Sequence, residues 1–376
     1  MSEFAAGPAG RIERVRALMA ERGYDAIVVR DEANLRWLTG VRGVFDYTFE
    51  FPHAAFITAD QCLFHTDSRY LNSFEENTPA CSPWVYDMDE GTIPGWVAGK
   101  IAANKCRVCA VEDDMQINFY QGIQRGLEGR SIACMLPLMH DDIRKMRAIK
   151  DAEEIKLMRH AQSITDAAFQ HMLGFIKPGM TEKQVRNELE NFMFANGADS
   201  LAFGSIVASG PNTANPHAVP SDRVIEKGDF VLMDYGAGYC DYRSDMTRTV
   251  VMGEPTQEQL DLYALVRRTH EECVAAIHPG VEGNDIFKLS KKIIGDAGYG
   301  DRYNHGLGHG VGIDIHELPN FNRSKNIIEV GSVITMEPGV YLPGVGGVRL
   351  EDYGVVTENG YEPFTKTPHD LHIIDC

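Results

Sequence analysis

Between residues 154 and 175 apolar side chains recur every three or four positions, at Ile155, Met158, Ala161, Ile164, Ala168 and Met172, until Lys177, Pro178 and Gly179 end the run. That spacing predicts one buried face of a long helix. Thr181 and Gln184 stand at capping-box spacing and predict a second helix, which carries Val185, Leu189 and Phe192 and closes at Gly197. Thr256 and Gln259 open a third, running to about Ile277. Strand-rich stretches, Asp229 to Met252 and Ser332 to Thr357, lie between and after these helices. Helices and antiparallel strands in separate runs predict an α+β domain over residues 141–376 rather than a doubly wound sheet.

The first third reads differently. A helical stretch at 10–22 leads through Gly23 into the β-branched run from Ala26 to Arg30, followed by a turn and a further element over 31–40. Strand-like runs at Ala54 to Ile57, Cys62 to His65 and Val108 to Val111 alternate with helical segments, which predicts a small α/β domain over residues 1–140. A charged, helix-rich passage from Asp141 joins it to the rest. A chain of 376 residues exceeds what one hydrophobic core usually supports, so two domains are expected.

Charge narrows the function classes. With 36 Lys+Arg against 54 Asp+Glu, the formal charge of -18 repels phosphate backbones and anionic membranes, and no nucleic-acid or membrane partner is expected. The N-terminal residues lack the apolar core of a signal peptide, and no run approaches a membrane span. Eight scattered cysteines are too sparse for a disulfide framework and fit a reducing cytoplasm. Cys106 and Cys109 sit in a strand-like run with no second pair at zinc spacing and are expected to be buried thiols. The glycine-rich stretch from Gly306 to Gly312 fits neither the dinucleotide nor the P-loop pattern.

The chemistry lies in two acidic hairpins. A turn near Tyr239 and Cys240 would fold Asp229–Met252 so that Asp234 faces Asp245, and a turn at Gly344 would bring Glu337 opposite Glu351. Like charges facing across apolar β-runs are sustained by cations between them. His309, between glycines and flanked by His305 and His316, is the candidate nitrogen donor. Four carboxylates and one imidazole suit two divalent first-row ions, whereas the bland alternative makes the glycines a tight turn and the histidines polar loop residues.

These stretches resemble the pita-bread-fold metallopeptidases of the aminopeptidase P and prolidase branch. The likeness rests on Asn215–Pro220, Asp234–Gly236, Ser244–Thr249, His305–Glu317, Thr335–Tyr341 and Val348–Asp352, with a looser match at Leu35–Gly40. It implies a creatinase-like N-terminal domain that serves oligomerisation and active-site shaping, followed by a pita-bread catalytic domain. It implies that Asp245 and Glu351 bridge two metal ions, that Asp234 completes one site, and that His309 and Glu337 complete the other. Manganese is the family expectation, with cobalt, zinc or iron as alternatives. The implied reaction is hydrolysis of the peptide bond before proline, in dipeptides or longer peptides, by a homodimer. Glu337 is the expected general base. His217 and His316 are expected to hydrogen-bond the substrate and His305 to relay a proton, with Tyr341 and Arg349 around the substrate or behind the ligands. Arg323 is a candidate carboxylate clamp. A same-fold enzyme with a small non-peptide substrate and a non-catalytic binding protein are the rival readings.

Overall fold

A computed structural model describes residues 7–44, 52–80, 82–88, 91–322 and 325–376, and the chain divides into two compact units, Met1–Arg147 and Ala148–Cys376. In the first, α1 (Gly7–Arg22) leads into β1 (Ala26–Val29), and α2 (Glu32–Thr39), β2 (Ala54–Thr58), β3 (Cys62–His65), α3 (Leu71–Asn77), β4 (Val85–Asp87), α4 (Ile93–Ala103), β5 (Cys109–Val111), α5 (Ile117–Glu128) and α6 (Asp142–Ala148) follow. The strands form a mixed sheet in the order β4-β3-β2-β1-β5, with β1–β5 and β3–β4 parallel. All four residues of β1 are buried, as a central strand covered on both faces requires. Trp96 and Ile101 of α4 and Ile123 and Leu127 of α5 pack against Val28 and Phe56. The three-residue edge strand β4 was not foreseen; its Val85 is exposed, so no apolar alternation marks it.

The division falls after Arg147, beyond the expected boundary at 140, for a physical reason. Met139 and Ile143 are buried, and Arg147, 2% exposed, donates to Asn34 Oδ1 at 2.8 Å. The passage from 141 is therefore tied into the first unit rather than serving as a linker. Cys106 and Cys109 are buried and free, and burial pushes the Cys106 thiol up to about 11 and raises Cys109 well above the ordinary thiol range, which keeps both protonated.

The second unit begins with α7 (Ala152–Phe175) and α8 (Glu182–Ala195), then β6 (Ser200–Leu201), β7 (Ile206–Ser209), a 3₁₀ turn at Gly210–Ala214, β8 (Phe230–Tyr235), β9 (Ala237–Tyr239), β10 (Tyr242–Arg243) and β11 (Met246–Met252). There follow α9 (Gln257–Ala275), α10 (Gly283–Asp296), β12 (Gly308–Gly310), β13 (Glu317–Phe321), β14 (Val333–Met336), β15 (Gly339–Leu342), β16 (Gly346–Arg349), β17 (Asp352–Thr357), β18 (Gly360–Pro363) and β19 (Ile373–Ile374). Both expected capping boxes form, at Thr181 with Gln184 and at Thr256 with Gln259. Ile164, Ala168 and Met172 of α7 join Val185, Leu189 and Met193 of α8 against Val231, Met233 and Val250 of the sheet. Ile155 and Phe192 are only half-buried. Glu154 is buried instead, its carboxylate accepting from the Tyr242 hydroxyl at 2.7 Å.

Two antiparallel ribbons frame the site, and each is broken once along its length. In the first, β8 pairs with β11 and β9 with β10; in the second, β14 pairs with β17 and β15 with β16. The second ribbon has the expected register: Met336 opposes Asp352 on one side of the break and Gly339 opposes Arg349 on the other, so Glu337 and Glu351 occupy matched positions within it. The first differs. Its turn lies at Cys240 and Asp241, both left-handed with φ of 49° and 70°, and Asp234 opposes Thr247 rather than Asp245. The slip is two residues, so Asp245 stays on the face of Asp234 as its diagonal neighbour.

Candidate metal centre

Three of the four carboxylates stand where a ladder is interrupted. Asp245 precedes β11, Glu337 follows β14, and Glu351 falls between β16 and β17, while Asp234 is the penultimate residue of β8. The ribbons are clasped to each other beside these breaks, which brings the carboxylates together. The backbone N–H of Glu351 donates to Thr247 O at 3.1 Å, and the Arg248 guanidinium donates to Glu351 O at 2.6 Å. One carboxylate oxygen each from Asp245 and Glu351 and a ring nitrogen of His309 lie within 4.8 Å of one another.

His309 is delivered by β12, which packs so closely that a Cβ at Gly308 would lie 2.3 Å from Thr335 O and one at Gly310 would lie 2.1 Å from Leu318 O. Glycine is required at both places by backbone approach. His309 Nδ1 lies 2.9 Å from the carbonyl oxygen of Gly310, to which it can only donate. That fixes the proton on Nδ1 and leaves the Nε2 lone pair facing Asp245 Oδ2 and Glu337 Oε1, each at 3.6 Å. Burial lowers the imidazole to about 4, so it is neutral.

The electrostatics call for positive charge. Burial first, then the neighbouring Asp234 and Glu337, raises the Asp245 carboxyl well above the usual carboxylate range. Glu351 is raised by burial and by Asp245, and Glu337 is pushed up to about 8, chiefly by burial. Arg349 supplies one cation: its Nη2 donates to Asp234 Oδ2 at 2.5 Å. Among the described residues, Asp245, Glu337 and Glu351 are ion-paired to no Lys or Arg. Asp234 Oδ1 is buried without a hydrogen-bond partner, a costly state for a carboxylate oxygen unless a ligand meets it. An unprotonated imidazole nitrogen, an orphaned carboxylate oxygen and three crowded carboxylates fit divalent cations well.

The remaining candidates fall into two groups. His217, His305, His316, Asp234, Asp245, His309, Glu337, Arg349 and Glu351 line one cavity of about 670 Å³, a size suited to a small peptide. At its wall, Arg349 Nη1 donates to the Tyr341 hydroxyl at 2.9 Å, and that hydroxyl donates to His305 Nε2 at 2.9 Å, because His305 Nδ1 is committed to Gly306 O at 2.7 Å. Burial lowers His305 to about 4 and keeps it neutral, so its Nε2 accepts from Tyr341 rather than donating to it. Tyr341 and Arg349 thus brace Asp234 from behind. His316 packs edge-on against His309 with ring centroids 4.3 Å apart. Arg323 lies outside the described residues.

Sequence reasoning passed over Thr247. Its hydroxyl donates to Glu351 Oε2 at 2.7 Å and accepts from Arg349 Nε at 3.1 Å. The signal was available in the period-two alternation of Asp245, Thr247 and Thr249, which puts all three on one face.

A buried cage of carboxylates and one imidazole at the floor of a cavity defines a metallohydrolase class of site, and comparison with known proteins makes the class specific. Residues 156–358 match metallopeptidase family M24, and residues 11–149 match the creatinase/prolidase N-terminal domain. The chain is 37% identical to an uncharacterized peptidase of Bacillus subtilis, YqhT, over 97% of its own length and all of that protein. Among solved structures it is similar to an Xaa-Pro dipeptidase from Bacillus anthracis, with 36% identity, a TM-score of 0.89 and coverage of 98% of this chain and 100% of that one. It is also similar to an X-Pro aminopeptidase from Thermotoga maritima, with 30% identity, a TM-score of 0.85 and coverage of 97% and 100%. The chain belongs to the aminopeptidase P and prolidase branch of metallopeptidase family M24.

Proposed function

We propose that this protein is a dinuclear metal-dependent peptidase that hydrolyses the peptide bond preceding proline, in Xaa-Pro dipeptides or longer Xaa-Pro peptides. The observation that carries the reading is the convergence of Asp245, His309 and Glu351 at the floor of the cavity, beside the orphaned Asp234 Oδ1. The similarity to an Xaa-Pro dipeptidase and an X-Pro aminopeptidase supports the substrate class and favours it over a non-peptide substrate or a binding-only role.

In this reading Asp234, Asp245, His309, Glu337 and Glu351 would together hold two divalent cations. Manganese is the assigned metal, ahead of cobalt, zinc or iron, because four carboxylates against one imidazole make an oxygen-rich shell. When bound, the cations supply the positive charge that makes water nucleophilic near neutral pH and polarises the scissile carbonyl. Glu337 takes the proton of the attacking water and returns it to the leaving proline nitrogen. His217 and His316, both on the cavity wall, donate hydrogen bonds to the substrate and hold its carbonyl in line. His305 secures Tyr341, and through it Arg349 and Asp234, so that the ligand set is rigid before substrate arrives. Arg323 clamps the substrate carboxylate.

Among the described residues no helix is long and apolar enough to cross a membrane. We place the protein in the cytoplasm as a homodimer, with an N-terminal domain ending at Arg147 that serves assembly and active-site shaping and a catalytic domain from Ala148 onward. The test is metal analysis followed by assay on Xaa-Pro dipeptides and tripeptides with and without chelator. Bound metal with chelator-sensitive cleavage before proline supports the reading, and bound metal without such cleavage overturns its substrate half.

A further inference from the structure

The segment that presents His217 is fastened at both ends by one carboxylate that lies outside the site. Glu182, the first residue of α8, is fully buried. Its Oε1 accepts from Ser209 N at 2.7 Å, Ser209 Oγ at 2.9 Å and Asn212 Nδ2 at 3.0 Å. Its Oε2 accepts from Ser221 N at 2.9 Å and Ser221 Oγ at 2.6 Å. Ser209 and Ser221 bracket residues 210–220, which contain the 3₁₀ turn, Pro216 and His217. Burial opposes the charge on Glu182, yet the donors from Ser221, Asn212 and Ser209 outweigh it and hold the carboxyl below its ordinary range.

The far side of the segment is tied to the metal-centre ribbons. Gly347 N donates to Thr213 Oγ1 at 2.7 Å, and Arg349 Nη1 donates to Pro216 O, one residue before His217, at 3.2 Å. His217 itself is exposed to the cavity, with its loop as its support. A loop with exposed side chains and little apolar burial is ordinarily mobile. Here its two ends are drawn to a single point.

We propose that Glu182 is a positioning residue for His217, setting the place of its imidazole in the cavity by closing the 209–221 loop, and that it acts on substrate only through that histidine. The proposal rests on the reading that His217 contacts the peptide. Glutamine in place of Glu182 keeps the shape but turns an amide N–H₂ toward one group of donors, which opens the loop at Ser209 or at Ser221.

The experiment compares metal-loaded wild type, H217A, E182Q and the double variant on an Ala-Pro substrate, with metal content and hydrogen exchange of the 210–220 amides followed in parallel. Equal metal content is expected in all four. H217A is expected to lower kcat/KM by about 100-fold, and E182Q by about 10-fold or more, since an ångström of misplacement has such consequences. E182Q should add nothing in the H217A background, and amide exchange in E182Q should rise within 210–220. Losses that multiply in the double variant, or wild-type kcat/KM in E182Q, overturn the proposal. Wild-type kcat/KM in H217A overturns the reading of His217 on which it rests, an outcome visible without any Glu182 variant. If E182Q does not fold, Ser221→Ala removes a donor to the same oxygen and supports the same comparison.

Discussion

Thr247 and Glu351, far apart in sequence, are joined by a buried hydrogen bond of 2.7 Å from the threonine hydroxyl to the carboxylate. Because the threonine Oγ1 also accepts from Arg349 Nε at 3.1 Å, one small side chain orients both a carboxylate of the proposed ligand set and the guanidinium that braces Asp234. Thr247→Val keeps the volume and removes both interactions. We expect it to weaken metal binding by about 10- to 100-fold, as measured by competition against a metal-chelating dye, with Thr247→Ser near wild type. Unchanged affinity in the valine variant would show that Glu351 is oriented by other means.

Lys150 and Glu317 form an ion pair at 2.9 Å, their side chains 1% and 5% exposed. Glu317 also accepts from Asp314 N at 3.1 Å, so the pair anchors the turn that carries His316. Lys150→Met removes the ammonium from a buried carboxylate and should destabilise the protein by about 3–5 kcal/mol. A Lys150→Met, Glu317→Leu double variant should regain much of that stability while losing activity. Urea denaturation of the metal-free protein checks both; a loss under about 1 kcal/mol in the single variant would mean the pair is solvated.

His270 is buried in α9 with neither ring nitrogen hydrogen-bonded, and burial lowers it from 6.5 to about 4, against the pull of Asp352 at 3.7 Å. Its folded pKa is depressed, so the unfolded chain takes up a proton first as pH falls. Its contribution is complete above about pH 6.5 and is lost progressively toward pH 4. His270→Phe should remove part of the acid destabilisation, up to about 3 kcal/mol between those limits, read as a smaller fall in urea midpoint than in wild type. Parallel pH profiles would place a charged imidazole in the native state.

The second ribbon was legible because glycines mark its turn and its ladder keeps one register on both sides of the break, so Glu337 and Glu351 follow from the tip. The first was misplaced by two residues because its left-handed turn residues are Cys240 and Asp241, which carry no glycine signal. Parity rescued the conclusion: a two-residue slip leaves Asp245 on the face of Asp234. His309 was legible from its flanking glycines, whose need is the close approach of Thr335 and Leu318. What could not be read were partnerships across long sequence separation. Glu182 looks like any acid in a helix's first turn, and only folding brings Ser209 and Ser221 to it. The acceptor role of His305 likewise depends on Tyr341, 36 residues away. Helix α10 escaped notice because Glu282 makes no side-chain cap, although Ile286, Ile293 and Ile294 are buried.

The central claim is that cleavage before proline needs two cations held by Asp234, Asp245, His309, Glu337 and Glu351. Titrating manganese into chelator-treated protein while recording hydrolysis of Ala-Pro and Ala-Pro-Ala tests it most directly. The rate on at least one substrate should rise from near zero and level off at two ions per chain. Turnover that persists without metal, or saturating metal with no cleavage before proline, would contradict it.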